Sequence, residues 1–187
     1  MEEEIALYLS DAQESMEKAI QHTQKDLAKI RAGKALPSML DGLLVSYYGV
    51  DTPLNQVSTV NTPDARTLLI KPFERSILAE IEKAIKNSDL GFNPQNDGEV
   101  IRINIPPLTE ERRKQLLKQV KQEIENGKVS IRNVRKDTNN ALKDLQKDGA
   151  PEDAVKKAED EVQKYTDKAT AKLDEIYAKK EAEIMTV

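Results

Sequence analysis

Apolar residues recur at steps of three and four along three long stretches of the chain, and at steps of two along short stretches between them. In the first long stretch Ile5, Leu9, Ala12, Met16, Ala19, Thr23, Leu27 and Ile30 fall on one face of a helix predicted over residues 2–30. In the second, Leu117, Val120, Ile124, Gly127, Ile131, Val134, Thr138, Ala141 and Leu145 alternate the two steps as a heptad seam does. Thr109 is the predicted N-cap of this helix, and Glu110 and Glu111 fill its first turn, where the helix dipole favours negative charge. Asp148-Gly149 ends it, and Pro151 opens a third helix at the position proline favours. The third seam is Val155, Ala158, Val162, Tyr165, Ala169, Leu173, Ile176 and Ile184. Helices over 2–30, 109–147 and 151–185 must each cover an apolar stripe, and a three-helix bundle with left-handed packing does so.

Between the first two helices the period changes. Leu43–Tyr48, Val57–Val60, Thr67–Ile70 and Val100–Ile105 read as strands, the last with Ile101, Ile103 and Ile105 facing one way and Arg102 and Asn104 the other. One short helix interrupts them, with Ser76 as its predicted N-cap and Ile77, Ile81 and Ile85 on its buried face. Asp41-Gly42, Asn93-Pro94 and Asn96-Asp97-Gly98 read as turns. The predicted class is therefore α+β: a long three-helix bundle (residues 1–30 and 106–187) carrying a small inserted α/β domain (31–105) of β-α-β, sandwich-like character. Two chain segments cross the junction, near 31–35 and 105–107. They make Arg31, Ala32, Gly33, Lys34, Ala35, Ile105, Pro106 and Pro107 the candidate hinge.

Composition narrows the chemistry. With 38% hydrophobic and 33% charged residues of both signs, the chain can fold. It has no Cys, which excludes disulfides, thiolate metal sites and cysteine nucleophiles. No apolar run is long enough to span a membrane, and the acidic Met1-Glu2-Glu3-Glu4 start is unlike a signal peptide, so a cytoplasmic protein is expected. The single His22 lacks partner groups, and Gly33-Lys34 lacks the rest of a phosphate loop. Asn93–Gly98 resembles a calcium loop only in part, because Pro94 intrudes and Asn104 stands where a bidentate Glu is needed. No catalytic residue, metal site or cofactor is expected, and the chain is read as a non-enzyme.

Charge then singles out one face. The net charge is −4, yet residues 108–149 hold 11 basic against 7 acidic residues, whereas 1–30, 31–107 and 150–187 are each net acidic. On the second long helix Lys114, Lys118, Lys121, Lys128, Arg132, Arg135, Lys136 and Lys143 fall within an arc of about 100° at 3.6 residues per turn. Between Lys114 and Lys143, Glu125 is the one acid within it. The arc lies beside the apolar seam and faces outward, so Arg132 and Arg135 are predicted to be exposed, one turn apart, each able to fork two phosphate oxygens. No aromatic residue is interleaved, which argues against base stacking and for reading the backbone of folded RNA. A solvated face is the plainer alternative. So is a coiled-coil adaptor or chaperone-like module whose stripe binds acidic protein partners.

Several stretches carry a family likeness. Pro106-Pro107-Leu108-Thr109-Glu110-Glu111-Arg112-Arg113, Arg132-Asn133-Val134-Arg135-Lys136-Asp137, Lys29-Ile30-Arg31-Ala32-Gly33-Lys34-Ala35, Tyr47-Tyr48-Gly49 and Ser88-Asp89-Leu90-Gly91 resemble signature stretches of the ribosome recycling factors. The likeness spans essentially the whole chain. Lys34 and Leu36 depart from the Arg and Ser more usual in the family. The resemblance implies an L-shaped, monomeric mimic of transfer RNA. It implies binding of post-termination ribosomes through large-subunit ribosomal RNA, with Arg132 and Arg135 matching RNA-contacting arginines. It further implies that elongation factor G, with GTP, drives the small domain to split the subunits and release messenger RNA.

Overall fold

A computed structural model describes residues 1–30 and 33–186. Its elements in order are α1 (Glu2–Ala28), β1 (Leu44–Tyr47), β2 (Val50–Pro53), α2 (Leu54–Val57), β3 (Ser58–Asp64), β4 (Thr67–Pro72), α3 (Leu78–Lys86), β5 (Pro94–Asn96), β6 (Ile101–Asn104), α4 (Glu110–Lys147) and α5 (Glu152–Thr186), with 3-10 turns at Pro37–Leu40 and Arg75–Ile77. They form two compact units: Met1–Arg31 with Glu110–Thr186, and Ala32–Thr109.

In the helical unit α1, α4 and α5 pack pairwise against one another. Their shared core is built from Ala12, Met16, Ile20 and Leu27, from Leu116, Val120, Ile124, Ile131, Leu142 and Leu145, and from Val155, Ala158, Val162, Ala169, Leu173 and Ile184. Some seam positions differ from the sequence expectation. Ile20, Leu116, Leu142 and Thr166 are buried, while Ala19, Leu117, Ala141 and Tyr165 are half-buried. Each helix faces two neighbours, so its apolar stripe is wider than a single seam and drifts around a helix of 3.6 residues per turn. The two buried threonines satisfy their hydroxyls one turn back: Thr23 Oγ1 donates to Ala19 O at 2.9 Å, and Thr166 Oγ1 to Val162 O at 2.8 Å. Gly127 lets α4 approach α1 closely, since a Cβ there would collide with Thr23 Oγ1 and stand 3.2 Å from Leu173 Cδ1.

In the second unit β3-β4-β6-β5 form an antiparallel sheet, and β1 and β2 a separate hairpin. Val45, Leu68, Ile70, Ile81, Ile85, Ile101 and Ile103 are fully buried between these sheets and α3, which packs on β1 and β5. The alternation of Ile101 and Ile103 against Arg102 and Asn104 is as the sequence indicates. Two expectations are corrected, and one strand goes beyond them. Pro94–Asn96, read as turn sequence, is strand β5; as the sheet's edge it tolerates a proline that a central strand would not. The polar Val50–Pro53 is strand β2, paired through a two-residue turn at Tyr48-Gly49 with φ of 48° and 85°. Ser76 does not cap α3: it lies in the preceding 3-10 turn, and its hydroxyl is 3.2 Å from that of Tyr48.

Tyr48 is the one described residue other than glycine with a positive φ. Its hydroxyl donates to Glu74 Oε2 at 2.8 Å, that of Tyr47 to Oε1 at 2.7 Å, and the two rings meet edge to face at 4.7 Å. The Tyr47 hydroxyl first, and then that of Tyr48, hold the Glu74 carboxyl below its usual range.

Candidate RNA-binding face of the long helix

The 38 residues of α4 make a rod of roughly 57 Å at 1.5 Å per residue. On one side it borders α1, where Asp26, Lys29 and Ile30 line a shallow cleft with Gln119, Gln122 and Glu123. On another it borders α5. The basic arc lies on the outward face, with one edge against α5. Lys114, Lys118, Lys121, Arg132, Lys136 and Lys143 are exposed. Lys128 and Arg135 are half-buried, which corrects the expectation that Arg135 stands fully exposed. Both sit on the arc's α5 edge: Lys128 Nζ is 2.6 Å from Asp174 Oδ1, and Arg135 Nη1 donates to Gln163 Oε1 at 3.4 Å. Arg132 Nη2 lies 2.7 Å from Glu125 Oε1, two turns earlier on α4. Among the described residues Lys114, Lys118, Lys121, Lys136 and Lys143 form no ion pair.

The face therefore offers exposed ammonium groups along the length of the rod, with two guanidiniums one turn apart near its middle. That arrangement suits a run of phosphates rather than a single small anion. Asp174 and Gln163 were beyond sequence inspection because they lie on another helix. The turn at Gly149 folds α5 back along α4, so residues roughly equidistant from it face each other, and this was the signal that could have found them.

Of the candidate hinge, Arg31 and Ala32 lie outside the described residues. Gly33 has φ +75°, and a Cβ on it would stand 2.6 Å from Leu108 Cγ. Lys34, Pro106 and Pro107 are exposed. Ala35 and Ile105 are fixed to the body of the second unit: Ala35 N–H donates to Ala65 O at 2.8 Å, and Ile105 N–H to Arg66 O at 2.7 Å. His22 is exposed, with Nε2 at 3.3 Å from Asp26 Oδ2. Among the described residues no group of three or more His, Asp or Glu could hold a metal ion, and no helix is long and apolar enough to cross a membrane. In the calcium-like loop, the Asn96 and Asp97 side chains accept backbone N–H groups of Gly98, Glu99 and Val100.

Comparison with known proteins agrees with the family likeness. The ribosome recycling factor family profile matches residues 23–185. The ribosome-recycling factor of Cytophaga hutchinsonii is 60% identical over 185 residues, covering 99% of this chain and 100% of that protein. That of Flavobacterium johnsoniae is 54% identical over 187 residues, covering 100% of both. A solution structure of a ribosome recycling factor matches with TM-score 0.74 and 33% identity over 98% of each chain. A second structure, of the T. thermophilus factor with E. coli elongation factor G on the E. coli post-termination complex, matches with TM-score 0.60 and 46% identity, covering 96% of this chain and 98% of that one. By its matching profile and by relatives that align from end to end, the chain belongs to the ribosome recycling factor family.

Proposed function

We propose that this protein binds post-termination ribosomes in the cytoplasm, as a monomer, through large-subunit ribosomal RNA. Together with elongation factor G and GTP it promotes their dissociation into subunits and the release of messenger RNA. The observation that carries the reading is the arc of lysines and arginines along α4, most of them exposed, in a chain whose relatives match it over their full length. The related T. thermophilus factor is described with elongation factor G on a post-termination complex. Arg132, Arg135, Lys128, Lys121, Lys118, Lys114 and Lys136 are the proposed RNA contacts. The protein is a non-enzymatic factor, and GTP hydrolysis belongs to its partner. Because Ala35 and Ile105 are hydrogen-bonded into the second unit, the proposed pivot narrows to Gly33, Lys34, Pro106 and Pro107, beside Arg31 and Ala32.

The test mixes the protein with elongation factor G, GTP and post-termination ribosomes and follows sedimentation. Free subunits should increase, and affinity for large subunits should fall linearly on a log–log plot against salt. An adaptor for acidic protein would leave the ribosome profile unchanged.

A further inference from the structure

The basic face holds two populations of cation. Lys114, Lys118, Lys121 and Lys136 carry no ion pair among the described residues, whereas Arg132 and Lys128 are each engaged by a carboxylate of the same chain. The 2.7 Å Arg132–Glu125 and 2.6 Å Lys128–Asp174 separations are those of charge-assisted hydrogen bonds. A carboxylate presents to a guanidinium or ammonium the same oxygen geometry that a phosphate does. Neither carboxylate is sequestered: Glu125 and Asp174 have 56% and 61% of their side chains exposed, so the acidic side of each pair faces the solvent from which RNA would arrive, with Arg132 at 47% and Lys128 at 23% exposure beside them. Exposed pairs of this kind are weak, and a phosphate can displace the carboxylate at small cost. Once displaced, the carboxylate remains within a few ångströms of the incoming phosphate and repels it. Glu125 is also the single acid within the basic arc between Lys114 and Lys143.

We infer that Glu125 and Asp174 are internal competitors for the RNA phosphates. They occupy two of the central cations in the unbound protein and offset part of the attraction in the complex. They thereby set affinity and lifetime low enough for the factor to leave the large subunit after each round. This inference rests on the reading of α4 as the RNA contact. It predicts that removing the competing charge improves binding, the opposite of what removing a positioning group would do.

The experiment measures equilibrium binding and dissociation rate of the full-length, fluorescently labelled protein on purified E. coli large ribosomal subunits. Glu125→Gln and Asp174→Asn should each tighten binding about two- to fivefold, the range set by one exposed ion pair. Most of the change should appear as slower dissociation. The slope of log affinity against log salt should steepen by up to roughly 0.9, as when one more phosphate is neutralised. Glu125→Asp, which keeps the charge, should behave as wild type. So should Glu14→Gln, which breaks the 3.2 Å pair with Lys18 on α1. In an Arg132→Ala background Glu125→Gln should tighten binding markedly less, which separates the local pair from a general change in net charge. Unchanged or weaker binding by both Glu125→Gln and Asp174→Asn overturns the inference, as does equal tightening with and without Arg132. If Arg132→Ala and Lys128→Ala alone leave binding at the wild-type level, the RNA-contact reading itself is what fails.

Discussion

Replacing Gly127 with alanine sets two opposing effects against each other. In the interior of a helix, alanine is favoured over glycine by about 1 kcal/mol, so propensity alone would stabilise the bundle. The added Cβ, however, points into the bundle core, where it would collide with Thr23 Oγ1 of α1 and press on Leu173 Cδ1 of α5 at 3.2 Å. Thr23 is 3% exposed and its hydroxyl is committed to Ala19 O, so it cannot swing aside without leaving a buried hydroxyl unpaired. Leu173 is likewise fully buried. Overpacking of this kind costs about 1–3 kcal/mol, so the net expectation is a bundle destabilised by about 0–2 kcal/mol. Thr23→Ala removes the colliding oxygen together with its need for a partner. The double variant should therefore be more stable than the sum of the single effects by about 1 kcal/mol or more. Urea unfolding followed by far-ultraviolet circular dichroism measures all four corners of the cycle. A Gly127→Ala variant stabilised by about 1 kcal/mol, with no coupling to position 23, would show that α4 and α1 do not touch there and would refute the reasoning.

Three further outcomes are expected. Arg132→Ala with Arg135→Ala should leave helicity nearly intact and weaken large-subunit binding by about 1.5–3 kcal/mol for each charge-assisted hydrogen bond removed, less what Arg132 regains by leaving Glu125; undiminished binding in a filter assay refutes the assignment. Glu74, whose pKa is lowered from 4.5, contributes stability that is fully present above that value and is lost as pH falls through the depressed one; the stability difference between wild type and Glu74→Gln should thus be constant near neutrality and shrink below about pH 4.5, and a pH-independent difference in thermal melts would dismiss the carboxylate clamp. A chain with residues 36–104 replaced by a short Gly/Ser linker should fold as a helical bundle and bind large subunits without splitting ribosomes, because Ala35 and Ile105 bond to the adjacent residues Ala65 and Arg66 and the two connections leave close together; subunit release by this chain at the normal rate would show that the insert is not the moving part.

The three long helices are legible in the sequence because their stripes repeat over many turns, and the basic arc because it follows from helix periodicity alone. What sequence inspection misses depends on partners distant along the chain. Thr166 rather than Tyr165 enters the core because α5 must meet both α1 and α4, and a threonine is admitted there by bonding Val162 O. β2 is short and polar, and β5 begins with proline; neither has a pattern of its own, and each is a strand only because β1 and β6 stand beside it. Gly33 illustrates the converse. From sequence alone a proline there is a simple stiffening of the hinge, but φ +75° is closed to proline and the space is filled by Leu108, so that substitution would distort the segment rather than restrain it. The basic arc is visible in sequence as a set of charges, while the carboxylate of Asp174 on the neighbouring helix, which neutralises one of them, requires the fold.

The Tyr48-Gly49 turn bears on the order in which the second unit assembles. A two-residue hairpin turn with both residues at positive φ normally draws on Asn-Gly or Gly-Gly, which nucleate locally. A tyrosine in the first position opposes that conformation, so β1 and β2 lack a local instruction to pair. What holds the turn, the Glu74 carboxylate and the Ser76 hydroxyl, comes from the segment between β4 and α3, more than twenty residues further along the chain. The hairpin is therefore expected to form late in folding, after β3, β4 and α3 have brought the carboxylate into place to capture the two phenols.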